Sequence, residues 1–269
     1  MRDDQYKLIV DGARRRGATF PTQAAWLDFK ASIDAACSSA SAAIAAAPVE
    51  ATHAPRDAAG LSWKDMLALL TNKAAEPLTD ADYARAAATL GNGVTPKHMR
   101  ASKKVEAPRG AFDDQGRPSI LYERHVFSRN TAPKGRFNST HPDLSAVRGY
   151  GPGGYGKFGQ QYAKLARAYA LDPEAAFEAC SWGAFQVLGE NAVSLGYPSA
   201  RAMAVELATS EAAHLDSYVR FIKVNGLADD LGRCRAGDPE SCIPFVSVYN
   251  GDGFRTFGYH IKFAEALRG

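Results

Sequence analysis

Two glutamates are the strongest candidates for acid–base chemistry in this chain of 269 residues. Glu106 ends a predicted helix, because Pro108 pushes the residue before it out of the α region. The negative end of a helix opposes ionisation of a carboxyl there. Burial would raise the pKa of Glu106 further, whereas Lys103 and Arg109 would lower it. Hydrolysis of a glycosidic bond needs one protonated carboxyl of this kind, and usually a second that stabilises charge or activates water.

Glu123 is the second carboxyl in this interpretation. It lies in the segment 118–127, whose apolar and β-branched content predicts a strand. On a strand, Glu123 and His125 point to one face, so we expect His125 to hydrogen-bond beside the carboxyl in the binding site. A role of His125 as a base is the alternative, and the lack of a Ser or Cys nucleophile motif such as Gly-x-Ser-x-Gly disfavours it. The alternative is a structural ion pair of Glu123 with Arg124 or Arg129.

Two short motifs follow the glutamates along the chain. The first is Ser181-Trp182-Gly183-Ala184-Phe185-Gln186, and the second is Tyr249-Asn250-Gly251. With Glu106 at a helix end, these motifs in this order resemble the lysozyme superfamily. The run from 116 to 127, Gly-Arg-Pro-Ser-Ile-Leu-Tyr-Glu-Arg-His-Val-Phe, is similar to the N-acetylmuramidase family of phage endolysins. The resemblance does not reach residues 1–60.

The resemblance implies a fold and a reaction. The fold would be mainly helical, of the α+β lysozyme-like type, with a small β-hairpin. The reaction would be hydrolysis of the β-1,4 bond between N-acetylmuramic acid and N-acetylglucosamine in peptidoglycan, with Glu106 and Glu123 both catalytic. A lytic transglycosylase, which needs a single acid/base glutamate and forms an anhydro-sugar, is the first alternative. A non-catalytic wall-binding or virion structural protein with a decayed cleft is the second.

The resemblance also assigns substrate-binding residues. Gln186, Tyr249 and Asn250 match positions that hydrogen-bond the N-acetyl and hydroxyl groups of the glycan. Ser181 fits either as a helix N-cap or as a hydroxyl in the cleft. Trp182 and Phe185, in contrast, have the helical spacing that is typical of core aromatics.

A glycine-rich loop is predicted over residues 129–157, where Tyr150 and Tyr155 interleave with glycines. It lacks the Gly-Lys-Ser/Thr ending and the βαβ setting of a nucleotide site. A long loop with aromatic residues is more typical of a cleft wall. Tyr150 and Tyr155 are therefore candidates for stacking on sugar rings, with packing inside the loop as the equal alternative.

Metal and cofactor chemistry is not indicated. The six histidines show no His-x-x-x-His spacing, and the four cysteines form no Cys-x-x-Cys pair, so we predict no metal site and no cofactor. This disfavours a zinc amidase. Cys234 and Cys242 are close enough in sequence to close a loop in an oxidising compartment. Free thiols are nevertheless the default for a chain made in the cytoplasm.

Charge and apolar content suggest the partners. The formal net charge is only +3, yet residues 97–136 hold ten Lys or Arg against four Asp or Glu. Such a stretch suits an anionic polymer such as peptidoglycan, although a solvated face is an equal interpretation. No apolar run is long enough to span a membrane and no signal peptide is recognisable. We therefore expect a monomer without nucleic-acid partners or membrane insertion, made in the host bacterial cytoplasm and reaching the cell wall after holin action.

Two regions are predicted along the chain. Residues 1–60 form an N-terminal appendage, with two helices in 1–46 separated by Pro21 and a linker over 48–60; cell-wall binding is one possible role. Residues 61–269 form the catalytic domain. Helix starts are predicted at Thr79, Thr95-Pro96, Asp172-Pro173, Ser210 and Asp238-Pro239, and helix ends at Gly91 and Gly226.

Overall fold

The computed structural model describes residues 61–269; the predicted helices in 1–46 and the linker over 48–60 lie outside the described residues. Within 61–269, three short strands form one antiparallel sheet in the order β1-β2-β3: β1 (Ile120–Tyr122), β2 (Cys180–Trp182) and β3 (Val187–Leu188). The helices of this part are α1 (Trp63–Leu69), α2 (Asp80–Leu90), α3 (Pro96–Glu106), α4 (Arg124–Asn130), α5 (Gln161–Tyr169), α6 (Pro173–Glu178), α7 (Ala200–Leu207), α8 (Glu211–Val224), α9 (Ala228–Gly232), α10 (Pro239–Tyr249) and α11 (Tyr259–Ala266). The α+β lysozyme-like prediction is confirmed.

Helix starts follow the predicted capping residues. Thr79 makes a reciprocal capping box with Asp82, and the side chains of Asp172, Ser210 and Asp238 each accept a hydrogen bond from the first turn that follows. These bonds satisfy backbone N–H groups that have no partner inside the helix. These four predicted helix starts are confirmed.

Helix α3 ends where proline requires it to end. Its last residue is Glu106, and the C-cap Ala107 already has non-helical backbone angles. Pro108 follows, so α3 cannot continue. The predicted position of Glu106 in the last turn of its helix is confirmed.

The predicted strand over 118–127 is wrong after Tyr122. Glu123 occupies the N-cap position of α4, and its carbonyl accepts hydrogen bonds from the N–H groups of Val126 and Phe127. Apolar, β-branched residues here serve a buried helix face, because tertiary packing overrides strand propensity. Glu123 and His125 are consequently not two residues of one strand face. The sheet is also larger than the predicted hairpin, since β1 pairs with the distant β2.

Helix α8 contributes a large aromatic residue to the core. Its Tyr218 is fully buried, and the Tyr218 hydroxyl lies 2.6 Å from the Ser102 hydroxyl of α3. The Tyr218 ring stacks on Phe185 with 4.6 Å between centroids and meets Tyr249 of α10 edge-on at 5.5 Å. Burying aromatic rings of this size contributes about 1.5–3 kcal/mol each. Both α3 and α10, whose C-terminal ends carry Glu106 and Asn250, are thus anchored to one centre.

Two sequence predictions about apolar residues can be compared directly with the fold. Trp182 and Phe185 are 1% and 0% exposed, so their predicted place in the core is confirmed. None of the helices in residues 61–269 has the length and apolar character that crossing a bilayer requires.

Candidate active site

Glu106 lies half-buried at the C-terminal end of α3 and contacts the end of a second helix. Nδ2 of Asn250, the C-cap residue of α10, donates a hydrogen bond of 2.8 Å to Oε1 of Glu106. Burial raises the pKa of Glu106 from 4.5 to about 7, and the Asn250 bond and then the charge of Lys262 oppose that rise. Glu106 is therefore an acid that holds its proton near neutral pH.

Lys262, rather than Lys103 or Arg109, is the cation that lowers the pKa of Glu106. Lys103 forms a salt bridge with Glu211, and the guanidinium of Arg109 lies 5.2 Å from the ring centroid of Phe158. The prediction that these two cations lower the pKa of Glu106 is wrong, because each of them contacts another side chain. Lys262 lies on α11, a helix that packs against α3.

Glu123 lies in a pocket of neutral hydrogen-bonding groups. Its Oε1 accepts a hydrogen bond from the Ser181 hydroxyl at 2.8 Å, and its Oε2 accepts one from the Tyr155 hydroxyl at 3.5 Å. Nε2 of His125 is 3.7 Å from Oε2. Burial raises the pKa of Glu123, and the Ser181 bond is the largest effect in the opposite direction. The structure thus brings four predicted site residues together.

The alternative ion pairs of Glu123 are not formed. Arg129 is paired with Glu190 instead. Arg124 is buried, and its guanidinium donates to four backbone carbonyls of the loop that follows α4. Those carbonyls belong to Pro142, Arg148, Tyr150 and Pro152. Arg124 therefore fixes the glycine-rich loop over the Glu123 side of the site.

Gly149 allows this loop to approach Glu123. A Cβ at position 149 would lie 2.8 Å from the Tyr155 hydroxyl and 2.9 Å from Nδ1 of His125, closer than real Cβ contacts come. Burial lowers the pKa of His125, so the imidazole is neutral at pH 7. His125 is a neutral neighbour of Glu123 and does not form a charged pair with it.

The Ser181 motif is built differently from its prediction. Ser181 lies on β2 and does not cap a helix, so its role as a cleft hydroxyl remains and the N-cap alternative is wrong. Gly183 has φ +70°, and a Cβ there would be 2.6 Å from Nδ1 of His214. That nitrogen accepts a hydrogen bond from the N–H of Ala184 at 3.0 Å, while Nε2 of His214 binds the Leu207 carbonyl at 2.7 Å. The glycine makes room for the histidine that holds the turn.

Gln186 and Tyr249 bind the protein backbone at the edge of the site. Gln186 has φ +49°, and its Nε2 donates to the carbonyls of Gly183 at 2.8 Å and Ser119 at 3.3 Å. The Tyr249 hydroxyl donates to the Phe185 carbonyl. The donor groups that the sequence interpretation assigned to the glycan therefore hold the turn that follows β2. A direct contact of either side chain with sugar remains a prediction.

Aromatic rings form a row beside the two carboxyls. Tyr155 and Tyr150 meet edge-on at 5.5 Å between centroids, and Tyr150 stacks on Phe257 at 5.9 Å. Phe257 in turn meets Tyr259 of α11 at 6.4 Å. Tyr150 is 58% exposed and Phe257 43%, so both rings present large apolar faces to solvent. The glycine-rich loop thus contacts the segment that follows Asn250.

Comparison with known proteins decides the family. A protein-family model described as N-acetylmuramidase matches residues 95–269. The chain belongs to the N-acetylmuramidase family. It is also similar to a solved structure, the crystal structure of Burkholderia AP3 phage endolysin, with 35% identity over 71% of this chain and 70% of that chain and a TM-score of 0.60. Among curated proteins, no sequence match was found. The muramidase is therefore a peptidoglycan-cleaving hydrolase of the kind found in phage endolysins.

The matched region of the muramidase begins at Thr95, the N-cap of the helix that carries Glu106. It includes both glutamates, both motifs and the aromatic row. Among residues 61–269, no three His, Cys, Asp or Glu side chains converge to hold a metal ion. Cys180, Cys234 and Cys242 are buried free thiols.

Three residues of the muramidase site were missed by sequence reasoning: Phe257, Tyr259 and Lys262. Tyr259 and Lys262 are three residues apart, which places them on one face of α11. That spacing was visible in the sequence. Their position beside Glu106 was not, because it depends on the packing of α11 against α3.

Proposed function

We propose that the muramidase hydrolyses the β-1,4 bond between N-acetylmuramic acid and N-acetylglucosamine, with Glu106 as general acid and Glu123 as second carboxyl. The observation that carries this proposal is the position of the Glu106 carboxyl at a helix end, bound by Asn250 and buried so that its pKa is raised to about 7. A general acid works best when its pKa lies near the operating pH, because it must both hold the proton and release it. Glu106 meets this condition at neutral pH.

Asn250 supports the role of Glu106 in two ways. Its amide holds one carboxyl oxygen in place, which leaves the other oxygen to face the leaving group. The same N–H group stabilises the carboxylate after the proton has been transferred. One hydrogen bond therefore serves both the orientation of the acid and its charged product.

Glu123 differs from Glu106 in the groups around it. Both of its oxygens accept hydrogen bonds, from Ser181 and from Tyr155, and these bonds favour the ionised form. Two carboxyls whose surroundings differ in this way can divide the acid and base roles. We assign Glu123 to activating the attacking water or to stabilising positive charge on the sugar.

The biological setting follows from the family. An enzyme of this kind acts on the bacterial cell wall, and we propose that it works as a monomer on glycan strands after holin action. The exposed cation Lys262 suits the stem-peptide carboxylates of that polymer.

The test is the chemical nature of the ends that the enzyme releases. Purified sacculi are digested, the products are reduced with borohydride, and the sugar alcohols are identified by mass spectrometry. The proposal expects muramitol. Glucosaminitol would assign the other glycosidic bond, and anhydro-muramic products that resist reduction would assign a lytic transglycosylase.

A further inference from the structure

Tyr259 begins α11 directly after Gly258, whose left-handed backbone (φ 67°) turns the chain into the helix. Its ring packs edge-on against Phe257, and Nζ of Lys262 lies 5.2 Å from the ring centroid. The residue is half-buried. Tyr259 is thus the last ring of the aromatic row, and it lies on α11, which packs against the helix that ends at Glu106.

Tyr259 lies within electrostatic reach of both carboxyls. Burial first, and then the charges of Glu106 and Glu123, raise the pKa of its phenol to about 12. At the other end of the row, Tyr155 contacts Glu123 directly. Tyr259 therefore lies near both glutamates, and its phenol stays neutral there over the whole working pH range.

The hydroxyl of Tyr259 is unpaired within the part of the chain that the structure describes. No residue of 61–269 forms a hydrogen bond with it, whereas Tyr122, Tyr162, Tyr169 and Tyr249 each donate to a backbone carbonyl. A phenol that served packing alone could be a phenylalanine. A neutral, unpartnered hydroxyl beside two carboxyls is suited to a polar ligand.

We propose that Tyr259 is a substrate-positioning residue, whose hydroxyl hydrogen-bonds the sugar unit that lies between Glu106 and Glu123. This inference rests on the proposed function and deepens it. The ligand is a pyranose with hydroxyl or N-acetyl groups, and the phenol can donate to one of these groups or accept from it. The bond fixes the sugar relative to the acid, so that the glycosidic oxygen meets Glu106.

The test compares Tyr259→Phe with wild type and with Tyr197→Phe. Tyr197 is the control, since it is buried, neither Glu106 nor Glu123 acts on its pKa, and its ring lies under Arg220, 4.6 Å from centroid to guanidinium. We expect kcat/KM on soluble glycan fragments to fall about tenfold in Tyr259→Phe, the loss of one hydrogen bond. The loss should be the same at every pH, because the phenol does not titrate. Tyr197→Phe should match wild type.

A second measurement separates this inference from the proposed function. The affinity for an N-acetylmuramic acid–N-acetylglucosamine tetrasaccharide is measured by calorimetry in Glu106→Gln, with and without Tyr259→Phe. We expect the added substitution to weaken binding about tenfold, whichever bond the active enzyme cleaves. Unchanged affinity together with unchanged kcat/KM overturns the role of Tyr259. The role of Tyr259 is also overturned if Tyr259→Phe changes kcat/KM only by shifting the alkaline limb of its pH profile. Tyr259 would then act through the titration of Glu106. If the borohydride test alone fails, the proposed choice of glycosidic bond is wrong and the role of Tyr259 in binding the sugar still holds.

Discussion

The side-chain amide of Asn250 donates a hydrogen bond to the carboxyl of Glu106, and this bond joins the C-terminal ends of two helices. Each helix end carries partial negative charge, which disfavours a carboxylate between them. Burial acts in the same direction, and the Asn250 amide and Lys262 act against it. The result is a carboxyl that is about half protonated near pH 7.

The alkaline limb of activity should therefore lie near pH 7, and it should move when the groups around Glu106 change. Asn250 and Lys262 both lower the pKa of Glu106. Asn250→Ala and Lys262→Gln should each raise that pKa and shift the alkaline limb of kcat/KM to higher pH. The measurement is the pH profile of kcat/KM on soluble glycan fragments.

Lys104→Gln is the matched control for this prediction. Lys104 is an exposed cation on the same helix as Glu106 and is not among the groups that affect its pKa. Its removal should leave the alkaline limb in place. An equal shift in Lys104→Gln would show that general surface charge, rather than the local contact, sets the profile.

Glu106→Gln should stabilise the protein at pH 8. A carboxyl whose pKa rises on folding binds more protons in the folded state between pH 4.5 and about 7, so wild-type stability falls as pH rises through this window. Gln is neutral at every pH and keeps the acceptor for Asn250. The gain in unfolding free energy should grow from near zero at pH 4.5 to as much as about 3 kcal/mol above pH 7, as measured by urea titration. A gain that does not change with pH would contradict the raised pKa.

Glu123→Gln should reduce turnover strongly while the affinity for sacculi stays close to that of wild type. Ser181→Ala should reduce turnover less than Glu123→Gln does, and it should shift the pH profile in a direction that the structure predicts. Because the Ser181 bond lowers the pKa of Glu123, its loss should raise that pKa and move the acid limb of the pH profile upward. Normal specific activity in folded Glu123→Gln would remove its catalytic role and favour a single-glutamate transglycosylase.

Local signals in the sequence were sufficient for the boundaries of α3, the helix that carries Glu106. Thr95 with Pro96 starts α3, and Pro108 ends it at Glu106. These signals depend on backbone sterics and capping, which act over a few residues. They placed the candidate acid correctly without any knowledge of the packing.

The helix after Tyr122 and the cation beside Glu106 depend on tertiary contacts, so they could not be predicted from local sequence signals. The segment after Tyr122 has the apolar, β-branched content of a strand but forms α4, and the buried Arg124 at its start binds four carbonyls of a later loop. The cation beside Glu106 is Lys262, which is far along the chain, rather than the nearby Lys103. Partners of this kind depend on how α11 packs on α3, and no spacing rule encodes that contact.

Residues 61–269 alone should retain hydrolysis. Every candidate catalytic residue lies after residue 60, and the family match begins at residue 95. A protein lacking 1–60 should release muropeptides at close to the wild-type rate, with any change appearing in sacculus pull-down or in melting temperature. Loss of release by a truncated protein that is still folded would show that the appendage completes the active site.

The most direct test of the account is the rate at which Glu106→Gln releases reducing muramic ends from sacculi. Gln keeps the shape of the side chain and the Asn250 bond but cannot donate the proton, a contribution worth roughly 10²–10⁴-fold. The account predicts a loss of that size in a protein with wild-type affinity for sacculi and an unfolding free energy at least equal to that of wild type. A folded Glu106→Gln variant that releases reducing ends at close to the wild-type rate would contradict the assignment of Glu106 as the acid.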